Sequence, residues 1–237
     1  MSGHSKWATT KRAKAVVDAK RGAAFTKLAN LIIMNAKKGG DPVTNFSLRL
    51  AIDRARAANM PKDNIERAIK RGTGELAGAA IEELIYEGIG PAQSQFIVRC
   101  LTDSRNRAAS LIRHIFDKVG GSLSAVMWNF ELKGVIMVSA SEVAKINFDE
   151  LELELIDAGA SDIINEALGL TIYSDTANLQ AIKKLLEEKA VAVESSEIEY
   201  VAKEKRELTE EEQEKIERFI EALDECDDVA DYYSNVL

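Results

Sequence analysis

The chain has 237 residues, with 31 Lys+Arg, 39 Asp+Glu, two His and two Cys. At about 100–200 residues per domain this length predicts two or three small domains that bury cores without covalent staples. Two cysteines, Cys100 and Cys226, exclude a disulfide scaffold, and two histidines leave little material for a zinc site or a His-based catalytic centre. The longest apolar run is far short of the roughly 20 residues a membrane span needs, and the polar, basic opening has no secretory core. These features point to a cytoplasmic protein with no membrane segment, cofactor or metal, and not to an enzyme.

The net charge of −8 conceals a split: residues 1–72 carry 16 Lys+Arg and 5 Asp+Glu, net +11, and residues 73–237 carry 15 and 34, net −19. A contiguous basic segment ahead of an acidic remainder suggests a nucleic-acid partner for the first part.

Residues 1–14 form a polar, basic arm. The apolar spacing of Phe25, Leu28, Ile32 and Ala36 predicts a helix from about Val16 to Lys38, closed by Gly39-Gly40-Asp41-Pro42. A second helix is expected over about Asn45–Ala58. A third has Pro61 in its first turn, buries Ile65, Ala68 and Ile69, and stops at Gly72. A linker follows at 72–78. Beyond it the pattern becomes mixed: a strand at 94–101, a helix at 105–119, and a strand at about 123–131. The next unit reads strand (Val135–Ser139), helix (148–158, with Asn147 and Glu150 as a capping box and Gly159 as its stop), strands 162–166 and 170–174, helix 177–189 and strand 191–201. That order is a ferredoxin-like βαββαβ module. Thr209 and Glu212 form a second capping box ahead of a helix with an Ile216, Phe219, Ile220, Leu223 stripe, and a strand follows at about Val229–Tyr233.

A lone helix and strand at the C-terminus cannot make a domain, but they complete the strand–helix–strand of 94–131. The expected fold is therefore α+β and multidomain: an N-terminal three-helix bundle, then two ferredoxin-like α/β domains, one inserted in the other. The expected boundaries are 1–76, then 77–133 with 205–237, and 134–204 for the insertion.

The basic arm is the strongest local feature. Lys6, Lys11, Arg12, Lys14, Lys20, Arg21 and Lys27 lie within 22 residues, with His4, Ser5 and Trp7 at the opening. On an ideal wheel Lys20, Lys27 and Lys38 fall within roughly 20° of one another, which predicts a cationic row beside the apolar stripe. Such rows bind phosphates largely irrespective of sequence, and Trp7 could stack on an unpaired base or pin the arm to the bundle. A second basic set is Lys62, Arg67, Lys70 and Arg71. A third holds Arg105, Arg107 and Arg113. For both, a solvated helix face is the competing reading. Enzyme signals are thin. Gly88-Ile89-Gly90-Pro91 is a glycine turn rather than a dinucleotide fingerprint, no serine sits in a glycine elbow, and Glu82/Glu83 sit in an acidic, exposed-looking run. Cys100 ends an apolar strand as a buried thiol, and His114 lies on a polar flank.

Several segments together resemble the YebC/PmpR family of probable transcriptional regulatory proteins, which includes a mitochondrial translational activator of a cytochrome oxidase subunit. They are Gly3-His4-Ser5-Lys6-Trp7, Asp18-Ala19-Lys20-Arg21-Gly22, Phe25-Thr26-Lys27, Gly39-Gly40-Asp41-Pro42, the run Asn59 to Ile69, Gly72-Thr73-Gly74, Tyr86-Glu87-Gly88, Leu101-Thr102-Asp103 and Arg105-Asn106-Arg107. The resemblance implies a helical domain and two ferredoxin-like domains, and a cytoplasmic, non-enzymatic regulator of gene expression. Members are described as DNA-binding transcriptional regulators, and others act on translation at the ribosome, relieving stalls on proline-rich nascent chains. The chain departs from the family pattern at Ala23, at Gly90-Pro91-Ala92-Gln93 and in the short loop from Gly120 to Val126.

Two functional classes follow. The first is a nucleic-acid-binding regulator that reads phosphate and shape, on duplex DNA or ribosomal RNA, because no residue set suits bidentate base readout. The second is a protein–protein interaction module whose acidic portion binds a basic partner. Neutralising Lys11, Arg12, Lys14, Lys20 and Lys27 separates them.

Overall fold

The computed structural model describes residues 21–236. They divide into two compact units: Phe130–Val201, and the rest of the described chain on either side of it.

In the larger unit, helices α1 (Arg21–Ala36), α2 (Phe46–Ala57) and α3 (Lys62–Gly72) come first. Strands β1 (Glu82–Ile89) and β2 (Gln95–Thr102), helix α4 (Arg105–Lys118) and the two-residue β3 (Ser122–Leu123) follow. Beyond the inserted unit lie α8 (Glu210–Glu225) and β8 (Val229–Ser234). Pro61 is the N-cap of α3 rather than part of its first turn. The sheet order is β3-β1-β2-β8, every pairing antiparallel. Strand β2 is buried on both faces, which explains its nearly unbroken apolar run. Phe96, Val98 and Cys100 meet Ile112 and Phe116 of α4 and Ile216, Phe219 and Leu223 of α8. Phe219 sits edge-on to both Phe96 and Phe116, with ring centroids 4.9 Å apart in each pair. On the opposite side Leu101 and Ile81 join the core of the three helices, with Ile32, Leu48, Ala55 and Ile65. The helical part and the sheet thus share one hydrophobic core.

Strand β1 is absent from the sequence expectation. Its Glu82 and Glu83 read as acidic surface, yet Leu84 and Tyr86 pack on the α4/α8 core, and a Cβ at Gly88 would lie 2.4 Å from the Phe116 ring. The alternation is genuine but carries Glu83 and Glu87 on the face away from that core, while Glu82 precedes Leu84 and Tyr86 on the same face. The expected strand over 123–131 is also broken. The Glu87 carboxylate accepts the backbone N–H groups of Val126 (2.8 Å) and Met127 (2.7 Å), so those donors leave the ladder and one 3-10 turn forms at Met127–Asn129.

The inserted unit begins with β4 (Phe130–Ser139), of which the expected strand Val135–Ser139 is the second half. A single turn, α5 (Ala140–Val143), precedes α6 (Phe148–Asp157), β5 (Ala160–Glu166), β6 (Gly169–Ser174), α7 (Leu179–Glu188) and β7 (Val193–Ala202). The sheet order β5-β6-β4-β7 is the ferredoxin-like arrangement. In the larger unit a similar four-stranded layout is reached by another route, because the strand lying between β2 and β3 comes first in the chain. The capping box at Thr209/Glu212 forms in full. The one expected at Asn147/Glu150 does not, since Asn147 makes no side-chain cap bond. Gly159 ends its helix at φ +99, a left-handed conformation that favours glycine.

Candidate nucleic-acid interface

The basic end of the helical part is built by close packing. Gly72, closing α3, lies so near α1 that a Cβ there would stand 2.5 Å from the Ile33 carbonyl and 2.6 Å from the Ala36 Cβ. Asn45 ties the next turn: its Nδ2 donates to the carbonyls of Asn35 (2.9 Å) and Gly39 (2.7 Å), while its Oδ1 accepts from Leu48 N at the start of α2. One side chain therefore ends α1 and begins α2. The turn Lys37-Lys38-Gly39-Gly40 is thereby laid against the last turn of α3, which holds Lys70 and Arg71. Two helix C-termini point their negative ends here, so cations are favoured even without a ligand. Lys38, Arg67 and Lys70 are exposed. Arg71 lies against the Gly78 backbone, and Lys37 donates through Nζ to the Ile81 carbonyl at 2.5 Å. Lys62 is exposed and pairs at 3.5 Å with Glu66.

Other basic residues are committed internally. The Lys27 Nζ donates to the Asp224 carbonyl at 2.8 Å and is half-buried. Burial lowers its pKa, against the pull of Asp224 and neighbouring acids. The expected row of Lys20, Lys27 and Lys38 is not formed among the described residues: α1 ends at Ala36, so Lys38 leaves the helical register, and Lys27 turns inward. Arg105 donates to Glu82 at 2.8 Å. Arg107 grips the Asp228 carboxylate through Nε (3.0 Å) and Nη2 (2.7 Å), and reaches Asp103 at 2.9 Å. These bonds raise its pKa further, Asp228 contributing most. The forked geometry is one that guanidinium supplies and ammonium does not. Arg54 of α2 (2.7 Å) and Arg99 of β2 (3.1 Å) share the carboxylate of Asp231 on β8, and Arg99 also bonds Glu83. Burial pushes the Asp231 carboxyl upward, but the two guanidiniums outweigh it and hold the carboxyl below its usual range. This cluster fastens α2 to the sheet.

Of the sequence-predicted site residues, Lys62, Arg67, Lys70 and Arg71 share α3, whereas Arg105 and Arg107 sit at the mouth of α4, bound to acids. His4, Ser5, Lys6, Trp7, Lys11, Arg12, Lys14 and Lys20 lie outside the described residues, as does the side chain of Arg21. The placement of Lys37 and Lys38 beside Lys70 is legible only after folding, although their position directly before Gly39-Gly40 was a signal. Cys100 is fully buried, and burial pushes its thiol up to about 12. It is an unreactive core sulfur. Among the described residues no cluster of three His, Cys, Asp or Glu could hold a metal ion, and no helix is long and apolar enough to cross a membrane.

A helical basic layer sharing its core with an antiparallel sheet, and a ferredoxin-like unit inserted in the same chain, define a multidomain α+β protein whose polar chemistry is charge pairing. Residues 5–75 match the model of the TACO1/YebC N-terminal domain, and residues 81–236 match that of the TACO1/YebC second and third domains. The chain belongs to the TACO1/YebC family. It is 47% identical to a "probable transcriptional regulatory protein" of Caldanaerobacter subterraneus over all of this chain and 98% of that one. A Thermotoga maritima protein of the same description is 46% identical, over 99% and 93% of the two chains. The crystal structure of a conserved hypothetical protein from Aquifex aeolicus superposes with a TM-score of 0.81 at 39% identity, covering 93% of this chain and 92% of that one.

Proposed function

We propose that this protein is a cytoplasmic, nucleic-acid-binding regulator of gene expression whose residues 1–72 grip phosphates. One contrast carries the reading. Lys38, Arg67 and Lys70 stand exposed with no ion pair among the described residues, in the segment of net charge +11, while Arg54, Arg99, Arg105 and Arg107 are committed to carboxylates. Cations held toward solvent at this density bind a polyanion chiefly through counterion release. The names of the relatives support a regulatory role in the same direction. In this reading the chain divides at 1–76, 77–133 with 205–237, and 134–204, and the first domain holds the polymer.

The start of α3 offers Lys62, Asp63, Asn64 and Glu66, not a set of paired donors for base edges. That favours reading by phosphate and shape. Ribosomal RNA therefore stands beside duplex DNA as the target, and translation beside transcription as the process. A competition titration of labelled ribosomes against a labelled promoter-length duplex, at near-physiological salt, tests both. The proposal expects binding that falls on removal of residues 1–14 and on Arg67→Ala/Lys70→Ala, with a shallower salt dependence. Preference for ribosomes selects the translational reading, and sequence-dependent duplex binding selects the transcriptional one. Binding to neither refutes both.

A further inference from the structure

The loop from Ser124 to Asn129 is fixed to an unusual degree for a connection of its length. Its first half hangs on Glu87: the Ser124 N–H donates to the Glu87 carbonyl (3.0 Å), and the Val126 and Met127 N–H groups both donate to the Glu87 carboxylate. Its end hangs on Asn129, whose side chain is buried. Nδ2 of Asn129 donates to Gln95 Oε1 (2.7 Å) and to the Glu204 carbonyl (3.0 Å), and Oδ1 accepts from Glu204 N (2.8 Å). The Asn129 carbonyl accepts from Lys203 N at 2.7 Å. Val126 and Asn129 are each 1% exposed. Between these anchors stands Trp128, 62% exposed.

A tryptophan so exposed gains nothing from the core, and the bracing around it means that a partner stacking on the ring pays little ordering entropy. The surroundings say which partner. The segment hydrogen-bonded to Asn129 carries two exposed lysines, Lys203 and Lys205. An aromatic face with lysines close by is the pattern that holds single-stranded nucleic acid, where each base offers a π-face and each nucleotide a phosphate.

We infer that Trp128, braced by Glu87 and Asn129, is a stacking platform for an unpaired nucleobase, at a site separate from the basic helical segment. The inference builds on the nucleic-acid reading above and adds to it: the polymer presents at least one base that is not in a duplex.

The chain has two tryptophans, Trp7 and Trp128. The Trp7→Phe variant of the full chain therefore reports on Trp128 alone. Its emission is followed during titration with a mixed-sequence single-stranded RNA dodecamer and, separately, with inorganic polyphosphate. Affinities are read in parallel by anisotropy of a labelled dodecamer. The dodecamer is expected to quench Trp128 while polyphosphate, which has no bases, competes without quenching. Trp128→Ala is expected to weaken the dodecamer by about 5- to 150-fold and leave polyphosphate unchanged, and Trp128→Phe to keep most of the affinity. Dodecamer binding with no change in Trp128 emission, and equal affinity in Trp128→Ala, overturns the platform and leaves the nucleic-acid reading standing. A shift in Trp128 emission with ribosomal proteins freed of RNA but not with the dodecamer makes the ring a protein contact and also overturns it. Failure of the dodecamer and polyphosphate to bind, together with failure of ribosomes and of the promoter-length duplex, removes the nucleic-acid reading and the platform together.

Discussion

Residues 21–72 and residues 130–201, segments of 52 and 72 residues, carry opposite balances of charge. The first carries 11 Lys+Arg and 4 Asp+Glu, six of the cations arginines. The second carries 15 Asp+Glu and five lysines, with no arginine. In the insertion, lysines make short-range exposed pairs such as Lys184–Glu188, of a kind worth about 0.3–0.5 kcal/mol. The helical segment makes such pairs too, Lys62 with Glu66 and Arg56 with Asp53, but other cations there are of two further kinds. Arg54 is spent on the buried Asp231, and Lys27 on a backbone carbonyl, whereas Arg67, Lys70 and Lys38 face water. The lesson is that a basic segment is not uniformly a binding surface. Part of its charge fastens it to an acidic neighbour, and only the remainder is offered outward.

The sharpest way to break this comparison is at the fastening. Asp231→Asn leaves Arg54, whose side chain is 38% exposed, without its carboxylate and Arg99 with Glu83 alone, and should cost about 2–3 kcal/mol in urea unfolding at neutral pH. Because the Asp231 carboxyl is held below its ordinary value, its contribution is complete above pH ~4. It disappears as pH falls through the lower folded value. The wild type should therefore lose stability more steeply below pH ~4 than the variant does, and parallel acid limbs would refute the role given to the cluster.

Next comes the packing that assembles the basic end. Gly72→Ala drives a methyl into the α1 backbone and should destabilise by about 1–3 kcal/mol, read as a lowered urea midpoint. Thr209→Ala removes a complete capping box and should cost about 1 kcal/mol, while Asn147→Ala, at a cap with no side-chain bond, should cost clearly less. The smallest stability effect belongs to the outward charges. Arg67→Ala and Lys70→Ala should each change stability by less than about 0.5 kcal/mol. Each should lower the salt slope of nucleic-acid binding by about one. Lys184→Ala in the insertion should alter neither. A salt slope that moves with Lys184 but not with Lys70 would reverse the comparison.

Much of this was legible in the chain. The helices at 46–57, 62–72, 105–118 and 210–225 announce themselves by apolar spacing, the second and third with glycine stops and the last with a capping box, and the βαββαβ order of the insertion follows from periodicity together with glycine stops. The failures have physical causes. Strand β1 hides because it carries three glutamates, and those acids are partners: Glu82 for Arg105, Glu83 for Arg99, Glu87 for the loop under Trp128. The loop at 124–129 hides because a side chain 39 residues away takes its backbone donors.

Local sequence by itself determined where helices begin and stop, which faces are apolar, and that positive charge is concentrated before residue 73, since each of these depends on neighbours within a few residues. Tertiary structure alone decided which cations are free. An arginine's fate depends on whether folding brings a carboxylate within about 3 Å, and the partners here, Asp228 for Arg107 and Asp231 for Arg54, lie 121 and 177 residues away along the chain. No local pattern encodes a contact at that separation, and it exists only once β8 is laid beside β2 and the helices close over the sheet.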